Sequence, residues 1–309
     1  MSNRKMILVT GATGAQGGSV AKALLAENKF AVRILTRNAA SEKAQQLKAE
    51  GAEIATGDFD NKESLMAAMK DCYGVFGVTN FWEHFDREYE QGKNLIDAVR
   101  ASGIQHFVFS SLEDYNKLSN GTLPVPHYDM KAALQRYTKS LQLPATFVQI
   151  SFYYENFFSF FPLQYDGNGA FCLSLPQGDT KLAAVSVEDY GGIIASVFNH
   201  PVEYIGRTVR AVGADKTCDE YANIIAKETG RNVYFKYMPR NEYAALGFTG
   251  AEELANMFEA QRLYVPNRFM DLIESYGLNP KMQSFENWVK KNKARFETAM
   301  TINEEAMIA

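Results

Sequence analysis

Gly11, Gly14 and Gly17 follow the apolar run Met6-Ile7-Leu8-Val9-Thr10 and lead into Ser19-Val20-Ala21-Lys22-Ala23-Leu24-Leu25-Ala26-Glu27. A glycine-rich turn therefore joins a buried strand to a helix. Such a turn suits a pyrophosphate, which needs backbone N–H groups within reach, no β carbon in the way and the positive end of a helix dipole. Ala12, Thr13, Ala15 and Gln16 belong to the same turn. A glycine turn kept for packing alone is the competing reading, and the strand before it and helix after it weigh against that.

The tip of the second strand decides which dinucleotide fits. An acid there, about 20 residues past the glycines, accepts from a ribose 2′-hydroxyl. The segment Val32-Arg33-Ile34-Leu35-Thr36-Arg37-Asn38 has no acid. Arg37 could instead take a 2′-phosphate bidentately, with Thr36 and Asn38 adding hydrogen-bonding groups, so NADP(H) is the expected ligand. The plain alternative for Arg37 is a solvated strand-end charge. Arg33, on the same strand face, is a helper or simply exposed. Gly57-Asp58-Phe59 follows the third strand, where a loop passes the adenine, and Asp58 either accepts from the adenine amino group, caps the next helix, or does both. Thr79, Asn80 and Phe81 follow the fourth strand and fall near the central phosphates or the nicotinamide ribose.

These residues need a frame, and the pattern supplies one. Apolar, β-branched runs near 5–10, 31–36, 53–56, 73–78, 106–110 and 146–150 alternate with helical stretches near 17–27, 41–49, 61–69, 86–102 and 128–141. That alternation predicts an α/β fold with a doubly wound parallel sheet of six strands, the Rossmann arrangement, over residues 1–150. After Ile150 the pattern changes to an aromatic-rich stretch, a Gly- and Pro-containing segment, and a helix over 188–200. Further helices are expected at 217–229, 240–246, 251–260 and 284–296, with strands at 208–212 and 233–238. They make a smaller mixed α/β C-terminal lobe over 151–309, interleaved with the first unit and packed on the C-terminal edge of its sheet. From about Glu297 the chain has few anchors and is expected to fray.

Composition narrows the function class. The formal charge of −4, from 36 acids and 32 bases with no basic block, leaves no electrostatic footprint for direct nucleic-acid contact. Cys72, Cys172 and Cys218 are odd in number and widely spaced, which argues against a disulfide framework and a zinc site and fits a reducing compartment. Residues 1–5 run straight into the first strand, leaving no room for a signal peptide, and no run has the length of a membrane helix. The expected location is cytoplasmic, with the nucleus also open to it.

Several segments together resemble the NmrA-like branch of the atypical short-chain dehydrogenase/reductase superfamily, and within it the eukaryotic redox-sensor proteins. They are Thr10-Gly11-Ala12-Thr13-Gly14-Ala15-Gln16-Gly17-Gly18-Ser19-Val20, Thr36-Arg37-Asn38, Gly57-Asp58, Thr79-Asn80-Phe81-Trp82-Glu83, His127-Tyr128-Asp129-Met130-Lys131 and Tyr153-Tyr154-Glu155-Asn156. The likeness continues through Leu173-Ser174-Leu175-Pro176 and Leu246-Gly247-Phe248 to Ala255-Asn256-Met257-Phe258. It implies NADP(H) binding used as a readout of redox state. It also implies a regulatory protein partner, such as a transcription factor, or self-association as a homodimer. The resemblance further places Tyr153, Tyr154, Glu155 and Asn156 at the nicotinamide. Seven of the ten residues from Phe152 to Phe161 are aromatic, and most of these rings read as core.

Reductases of the wider superfamily use a Tyr-x-x-x-Lys pair in the helix after the fifth strand. The Tyr phenol gives up the proton that accompanies hydride transfer. Lys131 stands in that helix, but four residues earlier is His127, and Tyr128 is one place late, about 100° around the helix. The pair Tyr89 to Lys93 lies before the fifth strand and is discounted. Ser110 and Ser111 read equally as substrate-orienting or as ordinary strand-end residues. His127 could act as an acid, though a helix-start histidine after Pro124-Val125-Pro126 is the favoured reading. Lys131 is expected to hold the nicotinamide ribose. The sequence thus predicts an NADP(H)-responsive regulator without dehydrogenase activity, with an NADPH-dependent quinone or carbonyl reductase as the alternative.

Overall fold

The computed structural model describes residues 4–308 other than 266, with the backbone alone described at 84, 86, 307 and 308. Residues 1–3, on which part of the signal-peptide reading rests, lie outside the described residues. The first half lays down β1 (Met6–Val9), α1 (Ala15–Glu27), β2 (Ala31–Thr36), α2 (Glu42–Ala49), β3 (Glu53–Thr56), α3 (Lys62–Ala68) and β4 (Cys72–Gly77). It continues with α4 (Phe81–His84), α5 (Glu88–Ala101), β5 (His106–Ser111), α6 (Tyr115–Leu118), α7 (Pro126–Ser140) and β6 (Ala145–Ile150).

β3, β2, β1, β4, β5 and β6 lie side by side in that order, every pair parallel, and a seventh strand, Thr208–Ala211, joins β6. The fold is a doubly wound α/β sheet with smaller mixed sheets beside it. The expectation of six strands therefore falls one short. Thr208–Ala211, assigned to the lobe by sequence, pairs Val209 with Val148 and Ala211 with Ile150, and both of its apolar side chains are buried in the main sheet.

Side-chain alternation splits the sheet into two cores. Leu8, Val75, Phe107, Phe109 and Phe147 face Leu65, Leu95, Val99 and Leu134 of α3, α5 and α7. Ile7, Val9, Phe76, Val108 and Val148 face α1 and the helix α8 (Val187–Asn199). α8 sits very close to α1. A β carbon on Gly191 would fall 2.1 Å from the Ser19 carbonyl oxygen, and the Ser19 hydroxyl both donates to the Glu188 carbonyl and accepts from the Gly191 N–H.

The remaining chain builds two three-stranded sheets, one around Lys181–Val185 and one around Ala170–Leu175, with helices Cys218–Thr229 and Ala251–Tyr264. Their core contains Tyr154, Phe157, Tyr221, Phe258, Phe285 and Trp288. Two helical expectations change. Phe269–Leu278 is a helix outside the stretches expected from the sequence. The expected fraying from Glu297 is replaced by a helix, Lys293–Ile308, because Phe296 and Met300 are each 1% exposed in the core and Arg231 pairs with Glu304 at 2.6 Å. Among the described residues no helix is long and apolar enough to cross a membrane.

Candidate functional site

β1 lies between β2 and β4, so the turn leaving it opens where the sheet reverses its winding direction, the usual ligand crevice of such sheets. Thr10 ties the turn to β4, its hydroxyl accepting from the Val78 N–H at 2.9 Å. Gly11 has φ +60°, and a β carbon there would fall 2.7 Å from Val78 Cγ1. At Gly17 a β carbon would lie 2.4 Å from backbone atoms of Gly11 and Thr10. Gly14 caps α1 with no side-chain hydrogen bond, and the first helical turn contains no acid. The positive end of a 13-residue helix is thus left for something else to neutralise.

Above the turn is a cleft of about 690 Å³, a volume suited to a cofactor. Gly11, Thr13, Gly14, Ala15, Gln16 and Gly17 floor it; Ala12, 2% exposed, lies under the turn. Arg37 and Asn38 line one end, Asp58 and Phe59 its side, and Thr79 and Asn80 the opposite wall. The Asn38 side chain accepts from the Ala40 N–H. Asp58 accepts from the Asp60 N–H at 2.9 Å, whereas the cap of α3 is Asn61, so Asp58 has no capping role.

The sequence missed several residues here, three of them polar or charged groups that bear on a ligand. Lys43, in the first turn of α2, reaches back to the Thr13 carbonyl at 3.2 Å, and Gln91 lines the cleft from α5. Glu83 crosses from the β4 side and pairs with Arg37 at 2.5 Å, which holds the guanidinium above its usual pKa. Lys43 had a legible signal, since the first turn of a helix after a strand points back to that strand's tip. Arg33 is no helper: it pairs with Glu53 and donates to the carbonyls of Ala68 and Lys70, away from the cleft.

The other end of the cleft is closed by internal partners. Lys131 Nζ donates to Glu88 Oε1 at 2.5 Å and to the Thr79 carbonyl and hydroxyl at 2.8 Å each, which uses all three ammonium donors. The Thr79 hydroxyl donates in turn to Glu88 at 2.6 Å. Glu88 is fully buried, and its second carboxylate oxygen has no hydrogen-bond partner among the described residues. His127, at the start of α7, gives its backbone N–H to Glu253 and contacts the same oxygen through Nδ1 at 2.5 Å, with Phe81 and Trp82 on its ring. Phe81 is 6% exposed and turns into this aromatic cluster instead of the cleft. Tyr128 stacks on Tyr115 at 4.6 Å, and burial raises its phenol pKa strongly.

Of Tyr153, Tyr154, Glu155 and Asn156, Tyr153 alone lines the cleft. Its phenol accepts from Gln16 Nε2 at 2.6 Å, and Gln16 Oε1 accepts from the Ser110 hydroxyl at 2.7 Å. Burial pushes the Tyr153 phenol up to about 12. Tyr154 is instead fully buried against Phe285 and Trp288. Glu155 takes the Ser186 hydroxyl and the Val187 N–H at the start of α8, and the Asn156 carbonyl accepts from Ser159 and Phe161. A one-residue step along an extended segment reverses the side chain, so only one of two adjacent tyrosines can face the cleft.

Comparison with known proteins gives the following likenesses. Residues 3–286 match the NmrA-like family. An NmrA-like family domain-containing protein of Dictyostelium discoideum is 31% identical over 255 residues, 77% of this chain and 82% of its own. The NmrA-like family domain-containing oxidoreductase lnaB of Aspergillus flavus is 32% identical over 253 residues, 76% of each chain. In fold, the chain resembles a solved structure of NmrA, a negative transcriptional regulator, in complex with NADP. The TM-score is 0.78 at 20% identity, covering 96% of this chain and 98% of the other.

Proposed function

The chain belongs to the NmrA-like family, and on that premise we propose that it is an NADP(H)-binding regulator, a redox sensor that acts through protein contacts without dehydrogenase turnover. One observation carries the reading. A cleft shaped for a dinucleotide opens beside a lysine whose donors are all taken, with no phenol one helical turn before it.

The backbone of Gly11 to Gly17 takes the pyrophosphate, and Arg37, Asn38 and Lys43 take the 2′-phosphate. Asp58 and Phe59 meet the adenine, Thr79 and Asn80 the central phosphates and ribose, and Tyr153 the nicotinamide. Lys131 acts from beneath by fixing Thr79. The bound group supplies a hydride when reduced. Residues 1–150 form the nucleotide-binding unit and 151–309 the lobe that presents the contact surface. The partner is a regulatory protein such as a transcription factor, or a second copy of the chain, in the cytoplasm or nucleus.

A second reading, an NADPH-dependent reductase of quinones or carbonyls, draws on the Tyr153 phenol in the cleft and on the oxidoreductase name of the Aspergillus flavus relative. Calorimetry with NADP⁺ and NADPH oxidation across a quinone and aldehyde panel separate them. The regulator reading expects binding without turnover, weakened about tenfold to a hundredfold by Arg37→Ala. Sustained NADPH oxidation that Tyr153→Phe abolishes would replace it with the reductase.

A further inference from the structure

The tip of β2 carries no acid, yet the folded protein places one beside it. Glu83 of α4 reaches across from the β4 side to Arg37, and its second oxygen accepts from the Asn80 amide at 3.2 Å. Both partners are accessible from the cleft, the arginine side chain 57% and the glutamate 43% exposed. A 2′-phosphate and this carboxylate therefore want the same guanidinium. Two anions at contact distance on one fork repel each other, so the phosphate must displace the carboxylate. A 2′-hydroxyl makes no such demand. It is neutral and can donate to Glu83 while the ion pair stays intact.

We propose that Glu83 is a specificity-determining residue: it keeps Arg37 in the presence of a 2′-hydroxyl dinucleotide and releases it to a 2′-phosphate. This rests on the reading of the cleft as an NADP(H) site. The release has a structural consequence, because the Arg37 pair ties the β2 tip to α4. Trp82, next to Glu83, packs on His127 at 5.2 Å and on Phe160 at 6.4 Å, and a β carbon on Gly250 would lie 3.1 Å from its ring. α4 ends at Phe85, which holds φ +43° and ψ −116°, a conformation that a side chain disfavours. Loss of the Arg37 tie therefore loosens an element that is already strained at its end and that touches both halves of the molecule.

The test uses the full chain and Glu83→Gln, with melting temperatures confirming that both are folded. Calorimetric titrations with NADP⁺ and NAD⁺ read affinity. An exposed ion pair is a weak competitor, so Glu83→Gln should bind NADP⁺ about threefold to fivefold tighter. NAD⁺ should bind no tighter, because the neutral glutamine amide oxygen is a weaker acceptor for its 2′-hydroxyl than the carboxylate. Tryptophan emission reads the second consequence. Adenosine 2′,5′-bisphosphate should shift the signal of Trp82, adenosine 5′-monophosphate should not, and Trp288, 1% exposed in the lobe core, stays silent. Glu83→Asp, which keeps the charge on a shorter arm, should fall between the parent and Glu83→Gln. An unchanged ratio of NADP⁺ to NAD⁺ affinity in Glu83→Gln, or weaker NADP⁺ binding, overturns the assignment of Glu83. No NADP⁺ binding by the parent chain overturns instead the reading of the cleft.

Discussion

Around the tip of β2, Arg37 stands half exposed with Lys43 and Asn38 beside it on the cleft wall, whereas across β1, beneath the tip of β4, Lys131 is buried with Glu88 and Thr79. Both regions belong to one sheet and both centre on a cation facing a carboxylate. Water makes the difference. The Arg37 pair is screened and weakly held, so a ligand can take it apart. The Lys131 pair is desolvated, and removing either member leaves a buried charge alone. One cation is open to the cleft, and the other is enclosed by its own partners.

The largest effect should come from breaking the closed region. Glu88→Ala leaves Lys131 buried without its counter-charge and should destabilise the fold by about 3–5 kcal/mol in urea melts. The double variant Glu88→Leu/Lys131→Met should be less destabilised than Glu88→Ala, since no charge is stranded. Since Lys131 fixes Thr79, that folded double variant should lose a little NADP⁺ affinity; a loss as large as that of Arg37→Ala would put Lys131 itself on the ligand, and the contrast fails.

Next comes the floor between the two regions. Gly17→Ala puts a methyl group 2.4 Å from backbone that cannot move without opening the turn. It should lower stability by about 3 kcal/mol, and calorimetry should find no NADP⁺ binding. Gly14→Ala, whose β carbon would meet the Gly11 carbonyl oxygen at 3.3 Å, should keep most of the stability but weaken NADP⁺ binding, because its methyl group stands where the pyrophosphate must approach the turn.

The smallest effect sharpens the contrast from outside the cleft. His106, at the start of β5, donates through Nε2 to Thr146, whose hydroxyl is itself committed to the Tyr204 carbonyl, and its buried Nδ1 has no partner among the described residues. Burial lowers its pKa to about 4. Unfolded, a histidine takes a proton near pH 6.5, which the folded site refuses until about pH 4. The unfolded state therefore binds more protons in that window, and stability falls as pH drops through it, by at most about 3 kcal/mol. His106→Gln should flatten this slope and leave NADP⁺ affinity at pH 7 unchanged; a slope that persists would assign it to other groups.

The strand–turn–helix start, the six alternating strands and the missing acid at the β2 tip were all legible because each depends on neighbours within a few residues. Apolar periodicity and glycine spacing are local properties. The terminal helix was misread because its anchors, Phe296 and Met300, find their core only in three dimensions.

Sequence by itself determined the glycine turn, the cation at Arg37 and the displaced tyrosine at position 128. Tertiary structure alone decided that Thr208–Ala211 completes the main sheet, that Tyr153 faces the cleft while Tyr154 and Glu155 turn away, and that Lys131 is spent on Glu88. It also brought Glu83 to Arg37, 46 positions earlier in the chain. Turn chemistry and periodicity are written along the chain, whereas the partner of a charge is set by which loops meet across the top of β1.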